Sequence, residues 1–246
     1  MLEARHLAKS FGALSATRDV SILLPAGARH AVVGPNGSGK TTLFNLLAGE
    51  LRPDGGHVLL GGRDVTRLPP DARARAGLQR SFQKSNLFPD LCVRDNLALA
   101  LAIGDGQASV FWRRFERLPR LAERVAELAC RVRVDDVLDH AARALPYGTQ
   151  RQLELGLALA GSPKVLLLDE PTAGMSAEET QAMTALIAGL PRDLALLIVE
   201  HDMEVVFELA QRITVLDYGR VLAEGTPDEM RRSEAVRRRY FGERGA

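Results

Sequence analysis

The sequence predicts an α/β fold with a parallel-sheet core, an N-terminal antiparallel β-subdomain before it, and an α-helical subdomain inserted into it. Three observations carry that prediction. A glycine-rich loop sits between an apolar strand and an apolar helix near residue 40. Two later apolar runs, Val165–Leu168 and Leu194–Val199, read as buried parallel strands. Between these two regions the strand pattern gives way to Ala/Leu/Arg/Glu-rich helix from about residue 84 to residue 160.

The loop is Gly34-Pro35-Asn36-Gly37-Ser38-Gly39-Lys40-Thr41-Thr42, preceded by His30-Ala31-Val32-Val33 and followed by Leu43-Phe44-Asn45-Leu46-Leu47-Ala48. It fits the phosphate-binding pattern Gly-x-x-x-x-Gly-Lys-[Ser/Thr] in its strand-to-helix setting. Its glycines let successive N–H groups converge on one point, and the helix N-terminus adds partial positive charge there. Lys40 is placed to reach the β- and γ-phosphates of a nucleoside triphosphate, and the Thr41 hydroxyl to ligate Mg²⁺.

Before the loop, short apolar stretches such as Val20–Leu24 are split by turns such as Pro25-Ala26-Gly27, a pattern of antiparallel strands. Gly55–Gly62 reads as another strand between glycine turns. In the helical block, Phe111–Val134 alternates charge, with Leu118, Leu121, Val125 and Leu128 at helical spacing, and is read as an exposed amphipathic helix. Ser176-Ala177-Glu178-Glu179 is a capping box opening a helix that stops near Gly189 and Pro191. Tyr218-Gly219 divides two apolar stretches as a hairpin turn. Thr226-Pro227-Asp228-Glu229 opens a last helix carrying Arg231, Arg232 and, further on, Arg237–Arg239. No internal repeat is present.

The bulk properties narrow the class. The 246 residues hold 32 basic and 31 acidic side chains, a net charge of +1, so no overall field favours nucleic acid. Cys92 and Cys130 form no metal or redox spacing, which points to a reducing compartment. There is no uncharged apolar run of about 18 residues and no signal-peptide pattern at Met1–His6, so a cytosolic protein is expected.

Asp169-Glu170 follows the run Val165–Leu168. A carboxylate at the carboxyl end of a buried parallel strand lies beside the phosphate loop in such folds. Asp169 is expected to hold Mg²⁺ directly or through water, and Glu170 to orient and deprotonate an attacking water. A third signal is Leu145-Pro146-Tyr147-Gly148-Thr149-Gln150-Arg151-Gln152, running into a helix that breaks at Gly161-Ser162-Pro163.

Taken together, these motifs resemble the nucleotide-binding subunits of ABC transporters over essentially the whole chain. The resemblance implies a core of residues 1–83 and 161–246 and a helical signature subdomain of residues 84–160. It places Gln83 in the Q-loop, as a catalytic residue and Mg²⁺ contact. It makes residues 171–176 the D-loop, His201 the switch histidine, and Phe11 the aromatic that stacks on adenine. It implies that two copies pack head to tail, with Gly148 and Gln150 of one covering the ATP on the other's phosphate loop. The cofactors implied are ATP and Mg²⁺. One departure stands out. Pro146 replaces the usual serine of the signature, so a hydrogen bond to a charged group worth roughly 1.5–3 kcal/mol is missing.

The finer resemblance is to the ATPase subunits of branched-chain amino acid importers, carried by Tyr147–Leu155, Asp169–Ser176, Glu200-His201-Asp202-Met203 and Tyr240-Phe241-Gly242-Glu243. It implies a second ATPase subunit (an identical copy or a paralogue), two transmembrane permease subunits and, indirectly, a solute-binding protein as partners, with no nucleic acid. The location implied is peripheral, on the cytoplasmic face of the inner membrane. Residues 86–91 are the expected permease contact. Urea-type importers and the lipopolysaccharide-export ATPase share much of the same wording and are the alternatives.

Overall fold

The computed structural model describes residues 1–81, 87–105 and 119–233. The chain begins with β1 (Leu2–Phe11) and β2 (Leu14–Leu24), followed by β3 (Arg29–Val33) and α1 (Lys40–Ala48). Next come β4 (Gly55–Leu60), β5 (Arg63–Asp64), α2 (Pro70–Arg75) and β6 (Leu78–Arg80). The helical block supplies α3 (Val93–Gly104), α4 (Pro119–Arg131) and α5 (Tyr147–Ala160). The sheet then resumes with β7 (Val165–Asp169), α6 (Ala177–Ala188), β8 (Ala195–Val199) and α7 (Met203–Leu209). The described chain ends with β9 (Arg212–Asp217), β10 (Arg220–Gly225) and α8 (Pro227–Arg232).

Two sheets form. The first is antiparallel in the order β2-β1-β4-β5, and the second runs β10-β9-β3-β8-β7-β6. In the second sheet β9, β3, β8, β7 and β6 pair in parallel, and β10 closes the edge as an antiparallel hairpin through Tyr218-Gly219. The central strands are buried on both faces, which is why they read as unbroken apolar runs. Side chains alternate along each strand. In β7, Val165 and Leu167 join the cluster under α1 and the antiparallel sheet, whereas Leu166 and Leu168 join the cluster under α5 and α6.

Both capping boxes form with reciprocal bonds, at Ser176/Glu179 and at Thr226/Glu229. In α4, Val125 and Leu128 are buried against α3 and α5 while the charged residues face outward. The amphipathic reading of that helix holds, and its apolar stripe is part of the core. Leu118 and the rest of 111–118 lie outside the described residues, as do Arg237–Arg239.

Helix α1 is fixed at both ends. Its first turn emerges from the phosphate loop, and its last carbonyls, Leu46 and Leu47, accept hydrogen bonds from Arg73 Nη1 at 2.7 and 2.6 Å. Arg73 also donates to the carbonyls of Thr66 and Leu68, and burial pulls its pKa down to about 10. A cation against the C-terminal carbonyls complements the helix dipole.

Candidate active site

The phosphate loop turns directly off the end of β3. At Gly34 a β-carbon would meet Ser38 Oγ at 2.4 Å and the Leu216 carbonyl oxygen at 2.5 Å, so only glycine lets the loop lie this close to β9. Gly39, at φ +105°, is the N-cap of α1, and a β-carbon there would strike the Ala16 carbonyl oxygen at 2.4 Å. The β9–β10 turn clamps the loop from outside, with Gly219 N–H donating to the Ser38 carbonyl at 2.9 Å. Within the loop, Ser38 N–H donates to the Pro35 carbonyl at 3.1 Å.

An open cleft of about 370 Å³ lies over this loop. Asn36, Gly37, Gly39, Lys40, Thr41 and Thr42 form its floor, Glu170 and His201 one wall, and Phe11, Leu14 and Tyr218 its mouth. Gly34, Pro35 and Ser38 build the inner side of the loop. Lys40 Nζ donates to the carbonyls of Gly34 and Pro35, at 2.6 and 3.1 Å. Burial lowers the Lys40 pKa, against the opposing fields of Glu170 and Asp169. Phe11, at the end of β1, is 47% exposed, so its ring is available to a planar ligand. Leu14 and Tyr218 are exposed beside it, an apolar rim that no motif in the sequence announced.

The two acids at the end of β7 diverge. Glu170 adopts φ +50°, rare for a residue with a side chain, and this turns its carboxylate into the cleft. Its Oε1 lies 2.6 Å from His201 Nε2. An ionised carboxylate can only accept, so a hydrogen bond here uses the form of His201 that carries its hydrogen on Nε2. The expected base and the expected switch histidine, 31 residues apart, therefore meet in one chain.

Asp169 stands beside the cleft without lining it. Its Oδ2 accepts from Arg80 Nη2 at 2.5 Å, and its Oδ1 is buried without a hydrogen-bond partner among the described residues. Burial pushes the Asp169 carboxyl up from its ordinary value, opposed by Arg80. Arg80 also donates to Asn45 at 2.6 Å and to Glu50 at 2.9 Å. No sequence signal singles out Arg80, because a three-residue strand has no readable period. Gln83 itself lies outside the described residues.

Gly148 and Gln150 do not line the cleft of their own chain. They sit at the start of α5, whose N-cap is Pro146 with no side-chain cap bond. Gly148 N–H donates to Glu179 Oε1 at 3.1 Å, and Gln150 Nε2 to the Leu145 carbonyl at 2.9 Å. The Tyr147 hydroxyl donates to the Ala173 carbonyl at 3.0 Å, tying the signature to the turn after β7. In the expected permease contact, Phe88 is 51% exposed, but Leu87 packs against the core under the helices. Leu87 and Phe88 therefore do not share one exposed surface, since the chain turns Leu87 inward. Asn86 is outside the described residues.

A helix N-terminus cradled by a glycine loop, with a lysine and a carboxylate–histidine pair over it, defines a phosphate-loop nucleotide-binding protein. Sequence comparison gives the particular branch. The ABC transporter family model matches residues 17–173, and the model described as branched-chain amino acid ATP-binding cassette transporter matches residues 220–246. A high-affinity branched-chain amino acid transport ATP-binding protein of Salmonella typhimurium, LivG, is 37% identical, covering 99% of this chain and 98% of the relative. Its counterpart BraF of Pseudomonas aeruginosa is 35% identical over the same shares. The lipopolysaccharide export ATP-binding protein LptB of Haemophilus influenzae is 32% identical, again over 99% and 98%. Among solved structures, a nucleotide-free ATP-binding cassette from an ABC transporter superposes with a TM-score of 0.85 at 26% identity, covering 99% of both chains. The chain belongs to the ABC transporter ATP-binding family, and its enzymatic class is that of the family's ATPases.

Proposed function

We propose that this chain is the ATP-hydrolysing subunit of an importer for branched-chain, hydrophobic amino acids. The observation that carries the catalytic part is the Glu170–His201 contact at the wall of the phosphate-loop cleft, 2.6 Å between Oε1 and Nε2. Glu170 orients and deprotonates water, and His201 holds that carboxylate and senses the terminal phosphate. Lys40 and the phosphate loop, residues 34–42, bind the phosphates, with Phe11 stacked on adenine. Gln83 completes the catalytic set by resemblance.

Mg²⁺ fits the residues present. The candidate donors are hard oxygens, Asp169 Oδ1 is buried and lacks a hydrogen-bond partner among the described residues, and Thr41 faces the cleft. Mg²⁺ sites commonly combine one or two carboxylates with substrate phosphates, and no cluster of three acidic, His or Cys ligands occurs among the described residues. Thr41 and Asp169, with Gln83, would hold the ion, whose charge would offset that of the phosphates.

The solute is supported by the match of residues 220–246 and by the two branched-chain relatives. The export relative keeps lipopolysaccharide export as the second reading, because it would share the same catalytic residues. In either case two subunits close on two ATP, with Gly148 and Gln150 of one capping the nucleotide of the other. No described helix is long and apolar enough to cross a membrane. Two permease subunits would supply the path, with this chain on the cytoplasmic face and a solute-binding protein choosing the cargo. The helical subdomain, residues 84–160, would face the permease. Phe88 and Ile103 border an apolar hollow of about 170 Å³ between α3 and α5 there.

The test joins chemistry to cargo. Glu170→Gln should bind ATP normally while turnover falls by about 100-fold or more, and the wild-type chain should co-purify from membranes with an amino acid permease. Undiminished hydrolysis in the variant removes the catalytic reading, and co-purification with an export permease replaces the import one.

A further inference from the structure

Glu200 directly follows β8, one residue before His201, and is 3% exposed. Its carboxylate gathers three hydrogen bonds from two segments. Oε1 accepts from the Thr172 N–H at 3.1 Å and also from the Thr172 hydroxyl, and Oε2 accepts from the His201 N–H at 2.8 Å. Thr172 stands in the turn after Glu170, a turn closed by Ala173 N–H donating to the Glu170 carbonyl at 3.1 Å. The far side of His201 touches Glu170 Oε1. The contacts therefore form a ring that passes from Glu170 through Thr172, Glu200 and His201 back to Glu170.

Burying a carboxylate carries a desolvation penalty that a neutral side chain of the same size would avoid, unless its lone pairs are well used. Here they are used entirely on the two segments that carry the acid and the histidine. A hydroxyl could satisfy one such donor, whereas a carboxylate spans both segments. We propose that Glu200 is a positioning residue for ATP hydrolysis. It locks the turn of residues 170–175 to the backbone of His201, so that Glu170 and His201 keep their contact and any displacement of that turn is passed to the histidine. The inference rests on the reading of Glu170 and His201 given above.

The experiment measures steady-state Mg²⁺-ATP hydrolysis and, separately, ATP binding by the full chain. In Glu200→Gln one of the three donors faces an amide NH₂. There kcat should fall roughly 10- to 100-fold, the scale of a displacement of about 1 Å near reacting groups, with ATP affinity within about twofold of wild type. Thr172→Val should show the same split, and Thr172→Ser, which keeps the hydroxyl, should restore the rate. The double variant Glu200→Gln/Thr172→Val should be no slower than the slower single variant. A wild-type kcat in Glu200→Gln, additive losses in the double variant, or kcat and ATP affinity falling together would overturn the proposal. If Glu200→Gln does not fold, the Thr172 pair decides, and equal rates for Val and Ser overturn it. Glu170→Gln separates the two readings. Turnover surviving in that variant refutes the site itself, whereas its loss beside a fully active Glu200→Gln refutes only the role of Glu200.

Discussion

Arg80 and Asp169 make a buried ion pair, Nη2 to Oδ2 at 2.5 Å, with side chains 7% and 1% exposed. The same guanidinium reaches Glu50 and Asn45, the latter on α1, so one side chain ties the end of β7 to the helix that carries the phosphate loop. The cation that makes the burial of Asp169 tolerable also sets the carboxylate's orientation beside the cleft.

Removing that cation leaves a buried carboxylate without compensation, which costs about 3–5 kcal/mol. Arg80→Met should therefore lower stability by about that amount in denaturant melts, and adding Asp169→Asn should recover part of it. Equal stability of Arg80→Met and wild type would show that the pair contributes nothing to the fold. Hydrolysis should be lost in both variants, because Asp169 is displaced in one and neutralised in the other.

Much of this arrangement is readable before folding, and the readable part has a common cause. The phosphate loop announces itself because glycine is required where a side chain would collide, as at Gly34 against Leu216. Asp169 and Glu170 are visible because an unbroken apolar run marks a strand buried on both faces, and its end marks the cleft. The same rule applied to Leu196–Val199 would have singled out Glu200. Arg80 is different, since β6 is only three residues long and its partner is 89 positions away. The cis contact of Gly148 with Glu179 is equally hidden, because Glu179 already accounts for itself as a capping-box residue.

Pro146 tests the signature. It caps α5 with an extended backbone, φ −53° and ψ 153°, and contributes no side-chain bond. Serine tolerates that conformation and restores a hydroxyl. Pro146→Ser should match or exceed wild type in ATP-driven dimerisation, measured by light scattering on the Glu170→Gln background. A large loss of ATPase activity from Pro146→Ser alone would show that this stretch does not face the neighbouring nucleotide.

Phe88 tests the permease contact better than Leu87 does. Its backbone is pinned by Asn96, which accepts from Phe88 N–H at 2.9 Å and donates to its carbonyl at 3.1 Å, while the ring is half exposed. Phe88→Asp should leave the ATPase rate and melting of the isolated subunit within about 0.5 kcal/mol and twofold of wild type, as for a surface change, and should abolish recovery with membrane subunits. Leu87→Asp should destabilise the fold instead, since Leu87 packs into the core. Retention of the complex by Phe88→Asp would move the contact elsewhere.

His30 gives the chain a pH-dependent stability. It lies in β3, 1% exposed, with Nε2 2.8 Å from Thr214 Oγ1. Burial lowers its pKa below the ordinary 6.5, outweighing the field of Glu224, while Arg212 lowers it further. The folded chain thus binds the proton less readily than the unfolded one, so stability is full above about pH 6.5 and declines as pH falls below that value toward the folded pKa. Thermal melts from pH 8 to 5.5 should show the decline in wild type, with a shallower one in His30→Gln once carboxylate effects common to both are subtracted. The strand sits directly before the phosphate loop, so saturating ATP should offset the loss in wild type by mass action. Identical pH slopes for the two proteins would remove His30 as the titrating group.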